Sequence, residues 1–345
     1  MKCLSIGFLP LALLLQLEKE PPDAREAACL IYSPKTKTLL LFDGYMIYPA
    51  EDNDVYSWDG KAWGKIKAQG PPAKTLSSGA LNGSTGDVCI FGGIGKKGYQ
   101  ELYGDTWRFD GNDWRSLKTN NIGTRDHHKM VYAQHLRCFV LYGGFNGRRE
   151  RDSSTWILQN SRWSELHLKG PGSRYHFGMA YDAFRKKVVL YGGYNYAGIQ
   201  KDTWEFDGQK WKKVSEEGPG NRGRFCMAYD TERKMVILHG GDAWKKSVDT
   251  SVKKEGETWD VKGDTWGWNG KQWILISKDG PARMLSALGY DAERKTLVLY
   301  GGIDGDETGY SDTWEFRNNV WVKMAENDRL KWNGKEFVKE TPAKE

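Results

Sequence analysis

The chain has 345 residues, 39% of them hydrophobic and 13% aromatic, and a formal net charge of +6. That composition excludes a disordered or fibrous polypeptide and supplies enough apolar side chains for a large core. The small positive charge is spread along the chain, with no basic run interleaved with aromatics, which argues against a nucleic-acid partner.

Met1-Lys2 followed by the apolar run Leu4–Leu17 is short for a spanning helix and about right for the core of a secretory signal. Residues 1–21 are therefore expected to be a signal peptide or an N-terminal arm. The expected mature protein has no integral membrane segment and is secreted or held in the cell envelope (periplasmic). Gln16–Glu20 offers no small-x-small cleavage site, which leaves the ordered arm open.

From there the chain repeats. Counting the second glycine of each pair gives Gly44, Gly93, Gly144, Gly193, Gly241 and Gly302, at intervals of 49, 51, 49, 48 and 61 residues; in the first copy Asp43 replaces the first glycine. The fourth copy shows the unit. Arg174–Tyr181 alternates as a strand does and runs into a turn signal. Lys187–Tyr191 is a β-branched, apolar strand stopped by Gly192-Gly193. Asp202–Phe206 alternates again, Asp207-Gly208 is a hairpin dipeptide, and Trp211–Val214 is a fourth short strand. Such a four-stranded antiparallel meander cannot bury both faces alone, so the copies must stack around an axis. The predicted fold is all-β: a six-bladed β-propeller over residues 22–325.

Blade five carries the one long insertion, residues 242–263. The tail, 326–345, contains Leu330–Phe337, which repeats the Trp268–Trp273 hairpin and is expected as an extra C-terminal hairpin on an outer edge. Twelve of the sixteen tryptophans fall into pairs, Trp58/Trp63, Trp107/Trp114, Trp156/Trp163, Trp204/Trp211, Trp266/Trp273 and Trp314/Trp321, and read as packing between blades. Trp244, Trp259, Trp268 and Trp332 stand outside that pattern. Cys29, Cys89, Cys138 and Cys226 fall singly in strands of different blades, without CxxC or Cys/His metal spacing, and are expected to be buried thiols.

The paired glycines, the tyrosine before them, and the tryptophan separated by a hairpin from a second tryptophan resemble the kelch repeat. The wording DTWEFDG (Asp202–Gly208) is similar to the bacterial branch of that family. The resemblance implies ligand binding at one mouth of the central channel. It also implies a scaffold that supports enzymes, among them copper radical oxidases of the galactose-oxidase type and a six-bladed sialic acid epimerase. The oxidase needs a cysteine beside a tyrosine at the channel with paired histidine and tyrosine ligands, and the register supplies none. The iron-binding spacing of the plant specifier propellers is absent too, and no helical domain precedes the repeats, so an adaptor role is not implied.

In an up-down-up-down meander the start of the first strand and the glycine-pair loop share one face, so the channel mouth is where a site is expected. Seven residues before the strand-one aromatic position stand Arg25, Lys74, Arg125, Arg174, Arg222 and Arg283, six of six basic. Two positions later His127, His176 and Arg224 appear in blades three to five only. Such cations can focus a positive potential and grip a carboxylate. Alternatively each ring cation pairs with a repeat aspartate, as periodic residues usually do. The insertion adds Trp244 and Trp259, able to stack on a sugar ring. Asp304, Asp306 and Thr308 have the spacing of a calcium loop, although Asp312 and Glu315 belong to the repeat wording. The reading is a monomeric, non-catalytic binding module for an acidic glycan or an acidic peptide or protein, with no cofactor. The alternative is a carbohydrate-active enzyme, like the sialic acid epimerase, with His127 or His176 as acid/base and Arg174 and Arg222 as clamp.

Overall fold

Each β-branched run is hydrophobic on two sides, so it becomes the second strand of a sheet covered on both faces. In blade four the strands are Gly178–Asp182, Lys187–Tyr191, Thr203–Phe206 and Trp211–Ser215, paired antiparallel in chain order. Six sheets of this kind form, and the first strands Cys29–Ser33, Ser78–Asn82, Lys129–Ala133, Gly178–Asp182, Cys226–Asp230 and Ala287–Asp291 pack on one another in a closed circuit. The chain is a six-bladed β-propeller. This computed structural model describes residues 21–46, 53–66, 68, 70–243, 259–325, 329–332 and 337–340. The apolar leader, over residues 1–20, and Trp244 lie outside the described residues. Among the described residues no helix is long and apolar enough to cross a membrane.

The core lies between blades. Val140 and Tyr142 of blade three, for example, pack against Phe177, Val188, Leu190, Phe206 and Trp211 of blade four. Four kinds of hydrogen bond recur at these interfaces. A fourth-strand indole donates to the threonine of the preceding blade, as Trp211 Nε1 does to Thr155 Oγ1 at 3.0 Å. A tyrosine before the glycine pair donates to the chain entering the next blade, as Tyr191 does to the Gly220 carbonyl at 2.7 Å. The second glycine donates its N–H forward, Gly193 to the Arg222 carbonyl at 2.9 Å, and the mouth residue of one blade donates back to its counterpart, Arg224 to His176 at 3.0 Å.

The seam between blades six and one uses the same four bonds. They are Trp63 Nε1 to Thr313 Oγ1 at 2.8 Å, Tyr300 to the Pro22 carbonyl at 2.6 Å, Gly302 to Arg25 at 3.0 Å and Ala27 to Leu285 at 2.7 Å. No blade is shared between the two ends of the chain, so the ring closes by side chains and loops. The glycine pair is what admits the next blade so closely: at Gly193, where φ is +85°, a Cβ would lie 2.5 Å from the Phe177 Cβ.

Departures from the repeat leave visible marks. Val55 stands where all five other blades place threonine, at Thr106, Thr155, Thr203, Thr265 and Thr313, and the Trp114 indole that would bond there is buried without a partner among the described residues. His128 occupies the place of Phe177 and Phe225. It keeps their edge-on contact, with Phe91 at 5.5 Å, but both ring nitrogens are buried without a partner among the described residues. Burial, with Arg125, Lys129, His127 and Lys74 nearby, holds it well below its ordinary pKa, so it is neutral. His128→Phe is expected to raise stability by about 1–3 kcal/mol, because it removes two unsatisfied polar atoms from a site that already accepts phenylalanine in two blades. An unchanged or lower denaturant midpoint would contradict that account of the site.

Two expectations about packing are corrected. Trp58 and Trp268 both occupy the Phe206 slot, not the slot of Trp204; both are fully buried, and Trp268 Nε1 donates to Glu205 Oε1 at 2.9 Å. Trp268 is therefore a packing residue. The tail hairpin, Arg329–Trp332 with Phe337–Glu340, adds to Gly309–Tyr310 in the loop between the second and third strands of blade six rather than to an outer strand. Cys29, Cys89, Cys138 and Cys226 are free thiols, and burial pushes all four up, Cys138 to about 11 and Cys89 to about 12.

Candidate functional site

Three positions per blade build the mouth. The residue after the ring cation pairs with the residue after the glycine pair in every blade: Glu26 with Tyr45, Thr75 with Ile94, Asp126 with Phe145, Tyr175 with Tyr194, Gly223 with Asp242 and Met284 with Ile303. The third position forms a collar around the axis, with Ala27, Leu76, His127, His176, Arg224 and Leu285 all at φ between 53° and 59°. That left-handed turn, costly for a side-chain-bearing residue, lets the N–H groups of Ala27, His127, Arg224 and Leu285 bond the neighbouring blade's collar carbonyl. At these three positions blades two and six contribute only Thr75, Leu76, Ile94, Met284, Leu285 and Ile303, although Tyr99 and Glu307 from their loops also line the mouth. The chemistry is concentrated on blades three to five and on Glu26 of blade one.

The ring cations do not reach this mouth, which corrects their expected role. Arg25, Lys74, Arg125, Arg174 and Arg222 are buried, and Arg283 is nearly so. Arg174 bonds both Asp202 oxygens at 2.6 and 2.7 Å together with the carbonyls of Pro171 and Gly192. Arg222 does the same with Asp264, Pro219 and Gly240. Arg125 pairs with Asp152 at 3.1 Å, Arg283 with Asp312 at 3.4 Å and Lys74 with Asp105 at 3.5 Å, while Arg25 bonds the Asp43 carbonyl. Each ties the start of its own blade's first strand to the glycine pair or the third strand, which is why the position is basic six times in six.

His127, His176, Arg224 and Trp259, by contrast, meet at one cavity of about 450 Å³. Asp126 holds His127 through Nδ1 and holds Arg149 at 2.7 Å, and the His127 and His176 rings meet edge to face at 4.5 Å. Burial holds both histidines below their ordinary pKa; Asp126 opposes this for His127, whereas His127, Arg224 and Lys129 add to it for His176. Arg224 lies 4.2 Å from the Trp259 ring and 5.4 Å from the Tyr194 ring, and it pairs with Asp242 at 3.4 Å. Tyr194 also donates to Asp242, whose carboxyl is raised by burial despite Arg224 and whose Oδ1 has no partner among the described residues.

Several contributors escaped the sequence reading: Glu26, Phe145, Arg149, Arg151, Tyr175 and Tyr99. Arg149 lies between Tyr99 and Phe145 at 3.6 and 4.5 Å, and Arg151 lies between Tyr175 and Tyr196 at 5.2 and 4.3 Å. Guanidinium planes stacked on aromatic faces keep their edge N–H groups available for a ligand. Burial pushes the Glu26 carboxyl up to about 7, against Arg224 and with help from Glu307, and its Oε2 has no partner among the described residues. The signal available in the sequence was positional, namely the residue after each glycine pair and the residue after each ring cation.

The calcium spacing resolves differently. Asp304 Oδ1 accepts the N–H groups of Asp306 and Thr308, and Oδ2 accepts the Tyr310 hydroxyl, so this carboxylate organises its own loop. Among the described residues no group of three His, Cys, Asp or Glu side chains is placed to hold a metal ion.

No family model matches the chain, and no curated protein matches it. Among solved structures the chain is similar to "Structure of YjhT", at 15% identity and a TM-score of 0.68, covering 89% of this chain and 99% of that one. That likeness, with the closed circuit of first strands, supports membership of the β-propeller fold.

Proposed function

We propose that this is a kelch-type propeller whose channel mouth binds an anionic, ring-shaped small molecule of the carboxylated-sugar class. The observation that carries the reading is the convergence of Arg149, Arg151 and Arg224 on one cavity, where they outnumber the two carboxyl side chains that line it, Glu26 and Glu307. Arg149 and Arg224 each spend one N–H on a carboxylate, so most of their five donors remain for a ligand. The aromatic faces of Phe145, Tyr175 and Trp259 suit the apolar face of a sugar ring. A hexuronate is expected to bind in a calorimetric titration, and its carboxamide analogue at least tenfold more weakly, because only the acid can take charge-assisted hydrogen bonds. Equal binding of the two would remove the anionic reading.

A second reading is favoured by Glu26 and His127. A carboxyl near neutrality and a neutral imidazole oriented by Asp126 are the parts that acid/base opening of a sugar ring needs. If the site accelerates interconversion of the two anomers of a bound acidic sugar, Glu26→Gln is expected to cut that rate at least 100-fold while the ligand still binds. Anomer exchange followed by NMR at the same rate with and without protein would leave the protein a binding module.

A further inference from the structure

Below the collar, the axis encloses a second space of about 150 Å³ lined by the six first strands. Two positions past the collar stand Cys29, Ser78, Lys129, Gly178, Cys226 and Ala287. Five are small and uncharged, and Lys129 is the exception. A fold that builds this layer five times without a cation does not require one in blade three. The small side chains opposite leave room for several waters around the amine.

Nothing in this chamber balances the charge. Among the described residues no Asp or Glu lines it, and the Lys129 side chain has no ion pair or hydrogen bond. Burial pushes the Cys29 thiol up to about 11 and the Cys226 thiol up to about 12, so both are neutral at pH 7. The collar directly above adds Arg224 and two neutral histidines. An enclosed ammonium without a counter-charge is costly, and burial accordingly lowers the Lys129 pKa. Ser78 accepts the Met130 N–H at 2.9 Å, which leaves its hydroxyl proton to donate into the chamber.

We infer that the axial chamber is a site for a small monovalent anion of halide size, held by the Lys129 ammonium and the Ser78 hydroxyl. The site lies one layer below the mouth cavity; the two share the collar residues, but Lys129 and Ser78 do not line the mouth. At about 150 Å³ the chamber has little room for a bulky organic anion.

The test compares thermal unfolding in sodium bromide with unfolding in the bulky sulfonate MES at equal ionic strength. The wild-type Tm is expected to be higher in bromide by about 2 °C or more, with no such difference in Lys129→Met. Lys129→Ser is the second variant, since Ser78 already holds that place in blade two, and Arg151→Ala controls for anions at the mouth and should keep the difference. A bromide-soaked crystal should show an anomalous peak beside Lys129 Nζ. Equal bromide effects in wild type and both Lys129 variants, or a chamber holding water alone, would overturn the inference.

Discussion

Arg222→Ala is expected to lower the stability of the fold by about 3–5 kcal/mol, because it strands a largely buried carboxylate. The guanidinium bonds both Asp264 oxygens, at 2.7 and 3.1 Å, and the Pro219 and Gly240 carbonyls. Truncation therefore leaves Asp264 without its cation, with the Trp266 indole at 2.7 Å as its remaining side-chain donor, and takes the Arg222 donors from two carbonyls. Chemical denaturation reads the loss, and a change below about 1 kcal/mol would mean that water replaces the guanidinium at little cost. The effect also has a pH signature. Burial pushes Asp264 up, but the hydrogen bonds and charge of Arg222 outweigh it and hold the carboxyl below its ordinary 3.8. A carboxyl lowered in the folded state contributes stability that is present above its unfolded pKa and lost as pH falls through its folded one. The gap between wild type and Arg222→Ala should therefore be full at pH 7 and shrink only as pH falls below about 4. A folded Arg222→Ala protein should keep its ligand affinity, since this side chain does not line the mouth cavity.

Arg224→Ala is expected to do the reverse. Its guanidinium lines the cavity, stacked on Trp259 and paired with Asp242 at 3.4 Å. Loss of its charge-assisted hydrogen bonds should weaken binding of a carboxylated sugar by about 10–150-fold in a calorimetric titration. Asp242, left without its cation, is already raised by burial and can take up a proton instead, so the cost to stability should be smaller than for Arg222→Ala. The pH dependence of binding follows from Glu26. Its carboxyl is neutral below about 7 and negative above, so affinity for an anion should be highest on the acid side and fall as pH rises through 7. Glu26→Gln should flatten that profile. Affinity that rises with pH across this range would show that Glu26 does not face the ligand.

What could be read in the chain and what could not divide along the repeat. The glycine pairs, the hairpin dipeptides and the fourth-strand tryptophans have fixed spacing because each blade needs them, so the number of blades and their four strands follow from the sequence. The same periodicity explains the misreading of the ring cations. A residue that is basic in six blades of six serves the blade, and Arg174 and Arg222 are spent on Asp202 and Asp264. His127, His176 and Arg224, which break the period, are the ones the fold brings together. Glu26 has only its place after a ring cation to mark it, and Arg149 and Arg151 carry no pattern at all. They meet only because six mouths share one axis, and that convergence is a property of the closed ring.

Most direct is a crystal structure of the protein soaked with a hexuronate. The account predicts a sugar in the mouth cavity with its carboxylate on Arg224 and its ring against Trp259 or Tyr175. A sugar bound on an outer blade surface, with Arg149, Arg151 and Arg224 untouched, would contradict it.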